Sequence, residues 1–571
     1  MNCMGEKMEK WTTDKEGVKI LIELLVRKGI RQAVLSPGSR NAPLLLAFAR
    51  EKRIRHWVVL DERSAAFMAL GMAQQSGQTV ALVCTSGTAP LNYAPAVAEA
   101  YYQRLPLIVV TADRPVAWID QEDSQTIRQY EVFRNIVKAS WQLPGELFGE
   151  EDCWYANRLV NDALNTALSG RRGPVHINLP LREPLYGQRS YAAGELRTIG
   201  RIEPERGPAS EKMQELAEDF ESARRVMILA GFHQPDPALK IALQELAKLP
   251  QVIVLAETLS NVASERHVVT IDRVLVTLEE EEKERFQPEL LITFGGALVS
   301  KHIKAFLRKY RPRWHWSIDC SEHPADTMQG LTTHILAEPA LFFPALAARV
   351  RAVASHYARG WEEKKRLAEE RHVTFEKKAG WSDWKAFSLI LPALPAGSFL
   401  QLANSTPVRY AQLFDCAQLA RSDGNRGTSG IEGSTSTAIG AALMQEGMTT
   451  LITGDMGFLY DSNALWNKYF PARLKVVVMK NGGGGIFRFI PGPSDQEELE
   501  ECFETACEVN VEGFARLHHF QYFKAADEKS LRRLLPEFWQ EMERPAILEV
   551  ETPRLKNAEV LKSYFRCLQG E

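Results

Sequence analysis

The sequence predicts an α/β protein built from three parallel-sheet units in tandem. Two observations carry this. Short β-rich runs alternate with helical stretches along most of the chain, which is the pattern of βαβ units. The length, 571 residues, also exceeds what one hydrophobic core organises, and a charged stretch at 361–371 divides it.

In the first unit the expected strands are 33–35, 80–84, 107–111 and 175–179, with helices over 18–29 and 64–76. The run 80–84 ends in Ser86-Gly87-Thr88-Ala89-Pro90, and such small residues let a ligand approach the backbone at a strand's C-terminal end. The second unit has runs at 226–230, 252–255, 290–294 and 315–318. Between 349 and 378 the chain is rich in Arg, Glu and Lys, which predicts a solvent-facing linker helix. A third unit follows with runs at 399–402, 449–453, 475–479 and 546–550. The expected boundaries are 1–187, 205–350, a linker at 351–380, and 381–571. Three such units in tandem hint at an ancient triplication.

Hydrophobic residues make up 45% and charged residues 25%, the balance of a soluble globular protein. A net charge of -3 offers no broad basic field, so no nucleic-acid partner is expected and anionic ligands must be met by locally placed Arg and Lys. The eight cysteines (Cys3, Cys84, Cys153, Cys320, Cys416, Cys502, Cys507, Cys567) show no zinc-ligand spacing and read as free core thiols. No apolar run reaches about 18 residues and residues 1–10 carry no export signal, so a cytoplasmic protein with no membrane partner is expected.

Two glycine-rich loops carry the first chemical signal. The run 449–453 leads into Gly454-Asp455-Met456-Gly457, and 475–479 leads into Asn481-Gly482-Gly483-Gly484-Gly485-Ile486-Phe487. Mg²⁺ takes six oxygens, usually one or two from protein carboxylates or carbonyls and the rest from phosphate and water. Asp455, Asn481 and the Gly483 carbonyl can supply three, and the glycines let the backbone close on a diphosphate. A P-loop is excluded, because Ile486-Phe487 stands where Gly-Lys-Ser/Thr is needed.

This arrangement resembles the thiamine-diphosphate-dependent enzymes, whose signature is Gly-Asp, about 25 residues, then Asn-Asn. Here Lys480 stands in the place of the first Asn and Gly482 in that of a residue often Asn, leaving Asn481 as the metal ligand. The resemblance implies three doubly wound parallel-sheet domains, a pyrimidine-binding one, a central one and a diphosphate-binding one. It also implies thiamine diphosphate and Mg²⁺ as cofactors, with Mn²⁺ the alternative ion, and a cofactor cradle that includes Gly454, Asp455, Met456, Asn481, Gly483, Gly484 and Ile486.

The cofactor's aminopyrimidine needs a protein carboxylic acid to stabilise its imino tautomer. Glu62, after the apolar run 57–60 and at the start of an apolar helix, is the expected activating acid, because desolvation would raise its pKa. Read alone it is a Glu favoured at a helix N-terminus.

Three longer motifs narrow the resemblance: Ser36-Pro37-Gly38-Ser39-Arg40-Asn41-Ala42-Pro43-Leu44, Thr111-Ala112-Asp113-Arg114-Pro115, and Asn425-Arg426-Gly427-Thr428-Ser429-Gly430-Ile431-Glu432-Gly433. Together they are similar to the branch of that family that joins decarboxylated 2-oxoglutarate to isochorismate in menaquinone synthesis. Two dicarboxylates require several cations and donors, with Arg suited to bidentate carboxylate recognition. The resemblance assigns Ser39, Arg40, Arg114, Gln125, Lys301, Ser405, Arg409 and Arg426 to the substrates, with Arg40, Gln125, Ser405 and Arg409 in catalysis. Ile431 would press on the bend of the cofactor, while Ile486, Phe487 and Ile490 would wall the site. An apolar wall favours loss of CO₂, whose transition state is less charged than its ground state. A homodimer or homotetramer is implied. The alternatives are another thiamine-diphosphate 2-oxo acid decarboxylase or acetolactate-synthase-like carboligase, and a non-catalytic binding protein on the same scaffold.

Overall fold

The computed structural model describes residues 10–191 and 196–571. Cys3 and residues 1–9 of the expected first domain lie outside them. One compact unit comprises residues up to 203 with 427–446 and 461–471; the other holds 204–426, 447–460 and 472–571.

In the first unit, β1 (Lys10–Thr13) pairs antiparallel with β8 (Gln188–Tyr191). A six-stranded parallel sheet is formed by β2 (Gln32–Leu35), β3 (Arg55–Val58), β4 (Val80–Cys84), β5 (Leu107–Asp113), β6 (Ser140–Gln142) and β7 (Val175–Pro180), in the order β3-β2-β4-β5-β7-β6. Every residue of β4, β5 and β7 is buried. Their continuous Val, Ile and Leu runs are what a parallel sheet covered on both faces requires. The helix Ser434–Leu443 also belongs to this unit and lies along the helix Glu62–Ser76. The two meet backbone to backbone. A Cβ on Gly71 would fall 2.0 Å from the Thr437 carbonyl oxygen, and one on Gly440 2.0 Å from that of Met68.

The second unit contains two parallel sheets. One has the order β10-β9-β11-β12-β13, from β9 (Val226–Ala230), β10 (Val252–Ala256), β11 (Leu290–Phe294), β12 (Trp314–Asp319) and β13 (Thr333–Leu336). The other has the order β15-β14-β16-β17-β19-β18, from β14 (Phe399–Leu402), β15 (Arg421–Gly424), β16 (Thr449–Gly454), β17 (Leu474–Lys480), β18 (Gln521–Ala525) and β19 (Ala546–Glu551).

The predicted α/β class with parallel sheets is what the structure has. The first and third sheets share one strand order, and the second begins with it, which supports a triplication. In each, the order reverses between the first and third strands of the sheet. Ligands of open α/β sheets bind outside the C-terminal strand ends at such a switch point.

Two expectations are corrected. The helix Tyr357–Glu376 is not simply solvent-facing: Tyr357, Trp361, Ala368, His372 and Phe375 form a buried stripe along it. Its charged majority masks a stripe at helical spacing. The described cysteines are free, but Cys84 alone is fully buried and Cys502 is exposed, so core thiols is wrong for most of them. Among the described residues, no helix is long and apolar enough to cross a membrane.

Candidate active site

In the first unit the expected residues stand on loops at the C-terminal ends of β2, β3, β4 and β5. Gly38 packs on the turn after β4, where a Cβ would fall 2.4 Å from the Thr85 Cβ. Gly87, at φ +86, in turn faces Gln125, whose Cα would lie 3.2 Å from an added Cβ. Gln125 itself has φ 56, a conformation that costs energy in a non-glycine residue and is common at functional sites. Three loops therefore converge and carry Ser39, Arg40 and Gln125. The Arg40 guanidinium is buried, donates to the Leu181 carbonyl oxygen (2.9 Å) and pairs with Glu183 (3.3 Å). Burial, then the like charge of Arg114, lower its pKa. Arg114 donates to the Ser124 carbonyl oxygen (2.9 Å) and pairs with Asp123 (3.4 Å). Two guanidiniums near one another favour an anionic ligand.

Glu62 is the first residue of its helix, but the cap is Asp61, whose side chain accepts from the Ser64 N–H at 2.8 Å. Capping therefore does not account for Glu62. Burial raises its pKa, against a hydrogen bond from its own backbone N–H. Its charge adds to the burial that keeps Cys84 and Tyr93 neutral, so it lies close to the end of β4. Ile431 is 41% exposed. Its loop is held by the buried Glu99 carboxylate, which accepts from the N–H of Gly427 (2.6 Å) and from the N–H (2.7 Å) and hydroxyl (2.6 Å) of Thr428.

The second unit carries the two glycine-rich loops, leaving β16 and β17. Asp455 accepts from the N–H groups of Met456 and Gly482, both at 2.8 Å. Burial nevertheless pushes its carboxyl up to about 6, outweighing those N–H groups, and the charge of Asp383 adds to the rise. Asn481 donates its amide Nδ2 to Asp383 at 2.9 Å, so Oδ1 is the remaining polar atom of the amide. Gly482 has φ +80 and Gly483 φ +142, and a Cβ at Gly483 would meet the Glu504 carbonyl oxygen at 3.0 Å. The Lys480 side chain reaches Glu549 at 3.2 Å, away from the neighbouring Asn481 as strand alternation requires. Its place in the motif therefore costs the site nothing sterically. A partly desolvated carboxylate, an amide oxygen and the Gly483 carbonyl oxygen, which also accepts from the Gly485 N–H at 2.8 Å, are donors of the kind a hard divalent cation takes.

Gly454 and Met456 flank Asp455, and Gly484 donates to the Glu504 carbonyl oxygen (2.9 Å). Ile486 is buried, while Phe487 and Ile490 are partly exposed. Glu504 anchors this loop through Arg488 (2.5 Å) and Arg554 (2.7 Å).

A second, cationic group lies in the same unit, at the ends of β11, β14 and β15. Ser405 has φ 74 and its carbonyl oxygen accepts from Arg409 at 2.5 Å. Arg426 donates to Asn404 (2.8 Å). Burial, then Arg426, lower the Arg409 pKa, and both arginines act on Lys304. Lys301 opens the helix Lys301–Lys309 and is exposed. The loop before it is pinned by the fully buried Glu257, which accepts from the N–H groups of Val299 (2.8 Å) and Ser300 (2.7 Å).

The structure thus groups Ser39, Arg40, Arg114 and Gln125 in one unit, and in the other Ser405, Arg409 and Arg426 separately from Asp455, Asn481 and Gly483. Residues 15–132 match the family described as thiamine pyrophosphate enzyme, N-terminal TPP binding domain. Over 99% of both chains, the sequence is 49% identical to a 2-succinyl-5-enolpyruvyl-6-hydroxy-3-cyclohexene-1-carboxylate synthase of Porphyromonas gingivalis. The chain belongs to that synthase family. Synthases of the same name from Flavobacterium johnsoniae (42% identical, 96% of this chain and 98% of the relative) and Bacteroides fragilis (38%, 98% and 100%) are also similar.

Sequence reasoning missed Glu99, Glu257, Glu504 and Asp383, all buried carboxylates that hold the loops. Glu99 and Glu504 read locally as ordinary charged residues of helical stretches, and only their remote backbone partners reveal them.

Proposed function

We propose that the chain is a thiamine-diphosphate-dependent synthase that releases CO₂ from 2-oxoglutarate and adds the remaining four-carbon unit to isochorismate, giving 2-succinyl-5-enolpyruvyl-6-hydroxy-3-cyclohexene-1-carboxylate. The observation that carries this is the near-complete match to synthases of that name, on a chain that has Glu62, Asp455 and Asn481 together with the basic set. Bound thiamine diphosphate would supply a nucleophilic carbon and an electron sink for the loss of CO₂.

The residues of the chain do the rest. Glu62, desolvated and not consumed as a cap, holds a proton for the aminopyrimidine. Asp455, Asn481 and the Gly483 carbonyl would hold Mg²⁺ or Mn²⁺, and the adjacent Gly454, Met456 and Gly484 leave room for the diphosphate. Ile431 supports the cofactor, and Ile486, Phe487 and Ile490 keep water from the reacting carbon. Arg409 and Ser405 are read as binding the carboxylate derived from 2-oxoglutarate. Arg40, Gln125 and Lys301 are read as serving isochorismate, with Arg114 and Arg426 neutralising the remaining charge. A homodimer or homotetramer follows if one subunit's first domain and another's third share each cofactor. The cytoplasm is the compartment this reading implies.

Protein loaded with thiamine diphosphate and Mg²⁺ should consume 2-oxoglutarate, release one CO₂ per turnover and form the named product from isochorismate, followed by mass spectrometry. Consumption of pyruvate with no reaction of 2-oxoglutarate would overturn the reading in favour of an acetolactate-synthase-like enzyme.

A further inference from the structure

Asn481 poses a problem of orientation. A metal-ligand amide must present Oδ1 and not Nδ2, and the two differ by a half-turn about one bond. Lys480 is committed to Glu549 and Gly482 has no side chain, so the immediate neighbours cannot set it. The group that does contact the Asn481 amide comes from far away in sequence.

Asp383 opens the helix Asp383–Ile390 and is 2% exposed. Its Oδ2 accepts from Asn481 Nδ2 at 2.9 Å, and its Oδ1 accepts from the Thr552 hydroxyl at 2.5 Å. Its own N–H donates to Asn557 at 2.8 Å. The helix cap is the preceding Ser382, which accepts from the Lys385 N–H at 3.3 Å, so the carboxylate does not serve as a cap. Its side-chain partners are all neutral donors. A buried carboxyl held only by neutral hydrogen-bond partners among the described residues is costly, and hydrophobic burial alone would select a different residue.

We infer that Asp383 is a positioning residue for the metal centre: its carboxylate, held by Thr552, fixes the Asn481 amide so that Oδ1 faces the cation. Both carboxyl oxygens accept, Oδ1 from Thr552 and Oδ2 from Asn481, so Nδ2 is turned toward Asp383 and Oδ1 away. The reversed amide would set two acceptors face to face and present N–H groups to the metal. A buried hydrogen bond made in one orientation and lost in the other selects the orientation. Asp383 thereby supplies the outer support that the motif's missing Asn leaves open.

This inference rests on the proposed metal site, and the test separates the two. Apo protein is titrated calorimetrically with Mg²⁺ at saturating thiamine diphosphate, and its urea midpoint is measured without metal. Wild type should bind Mg²⁺, and Asp383→Asn should weaken binding by about 10–100-fold, the usual effect of removing such a partner. The double variant Asp383→Asn/Asn481→Asp, which exchanges acceptor and donor, should recover most of that loss, whereas Asn481→Asp alone should not. Thr552→Val, which leaves the carboxylate in place but less restrained, should raise the Kd several-fold and serves if Asp383→Asn does not fold. Unchanged Mg²⁺ affinity in Asp383→Asn and Thr552→Val, or no recovery in the double variant, overturns the positioning role. Absence of Mg²⁺ binding in wild type overturns the metal site itself.

Discussion

Gly440→Ala sets two well-measured effects against each other. In the helix Ser434–Leu443, alanine is favoured over glycine by about 1 kcal/mol on propensity alone. The structure predicts the opposite sign. The added Cβ would fall 2.0 Å from the Met68 carbonyl oxygen, where an ordinary contact is about 3.5 Å. The obstacle is backbone in the middle of the helix Glu62–Ser76, which cannot swing aside as a long side chain can. The contact must lengthen by roughly 1.5 Å, and such overpacking costs about 3 kcal/mol when the neighbour cannot yield. The net expectation is a loss of about 2 kcal/mol, read as a lowered urea midpoint at unchanged slope. Gly71→Ala, which meets Thr437 at the same distance, should behave alike, and the double variant should lose less than the sum because one separation relieves both clashes. A higher midpoint in either single variant would refute backbone contact between these helices.

Stability should also depend on Glu257, whose carboxyl burial raises from 4.5 to about 7. The folded protein then binds this proton more tightly than the unfolded chain, so the contribution is full below about pH 4.5 and is lost as pH rises through about 7, up to about 3 kcal/mol. Glu257→Gln should flatten that part of the pH dependence of the urea midpoint, and an unchanged slope would contradict it. In rapid-mixing spectroscopy, Arg409→Ala should impair the reaction with 2-oxoglutarate alone, whereas Lys301→Ala should leave it intact and slow consumption of isochorismate. Identical defects in both half-reactions would mean that the two anion sites are not separate.

The strands that the sequence revealed are those buried on both faces, such as β4, β9 and β11, where continuous Val, Ile and Leu runs leave little choice. Those it hid are short or polar. Arg421-Ser422-Asp423-Gly424 reads as a turn, yet it is a fully buried edge strand because Arg421 and Asp423 pair with one another. Arg55–Val58 is masked by its leading Arg and His. The positions of the glycine-rich loops and of Glu62 after strand ends were legible because motif and strand end coincide. The buried carboxylates that hold the loops of the site were not: Glu99, Glu257 and Asp383 act on backbone or side-chain groups remote in sequence, and such partners have no local signature. The positive φ of Gln125 and Ser405 is likewise imposed by packing and invisible in residue type.

The account turns on Glu62 acting as the acid that activates the cofactor, and exchange of the thiazolium C2 proton of bound thiamine diphosphate for deuterium measures this directly. Glu62→Gln keeps the shape of the side chain and removes its acid–base capacity. Removing one such role costs about 10²–10⁴-fold. The variant should therefore bind thiamine diphosphate and Mg²⁺ yet exchange the proton at least 10²-fold more slowly than wild type. Exchange at the wild-type rate, with the cofactor bound, would contradict the assignment and with it the reading of this site.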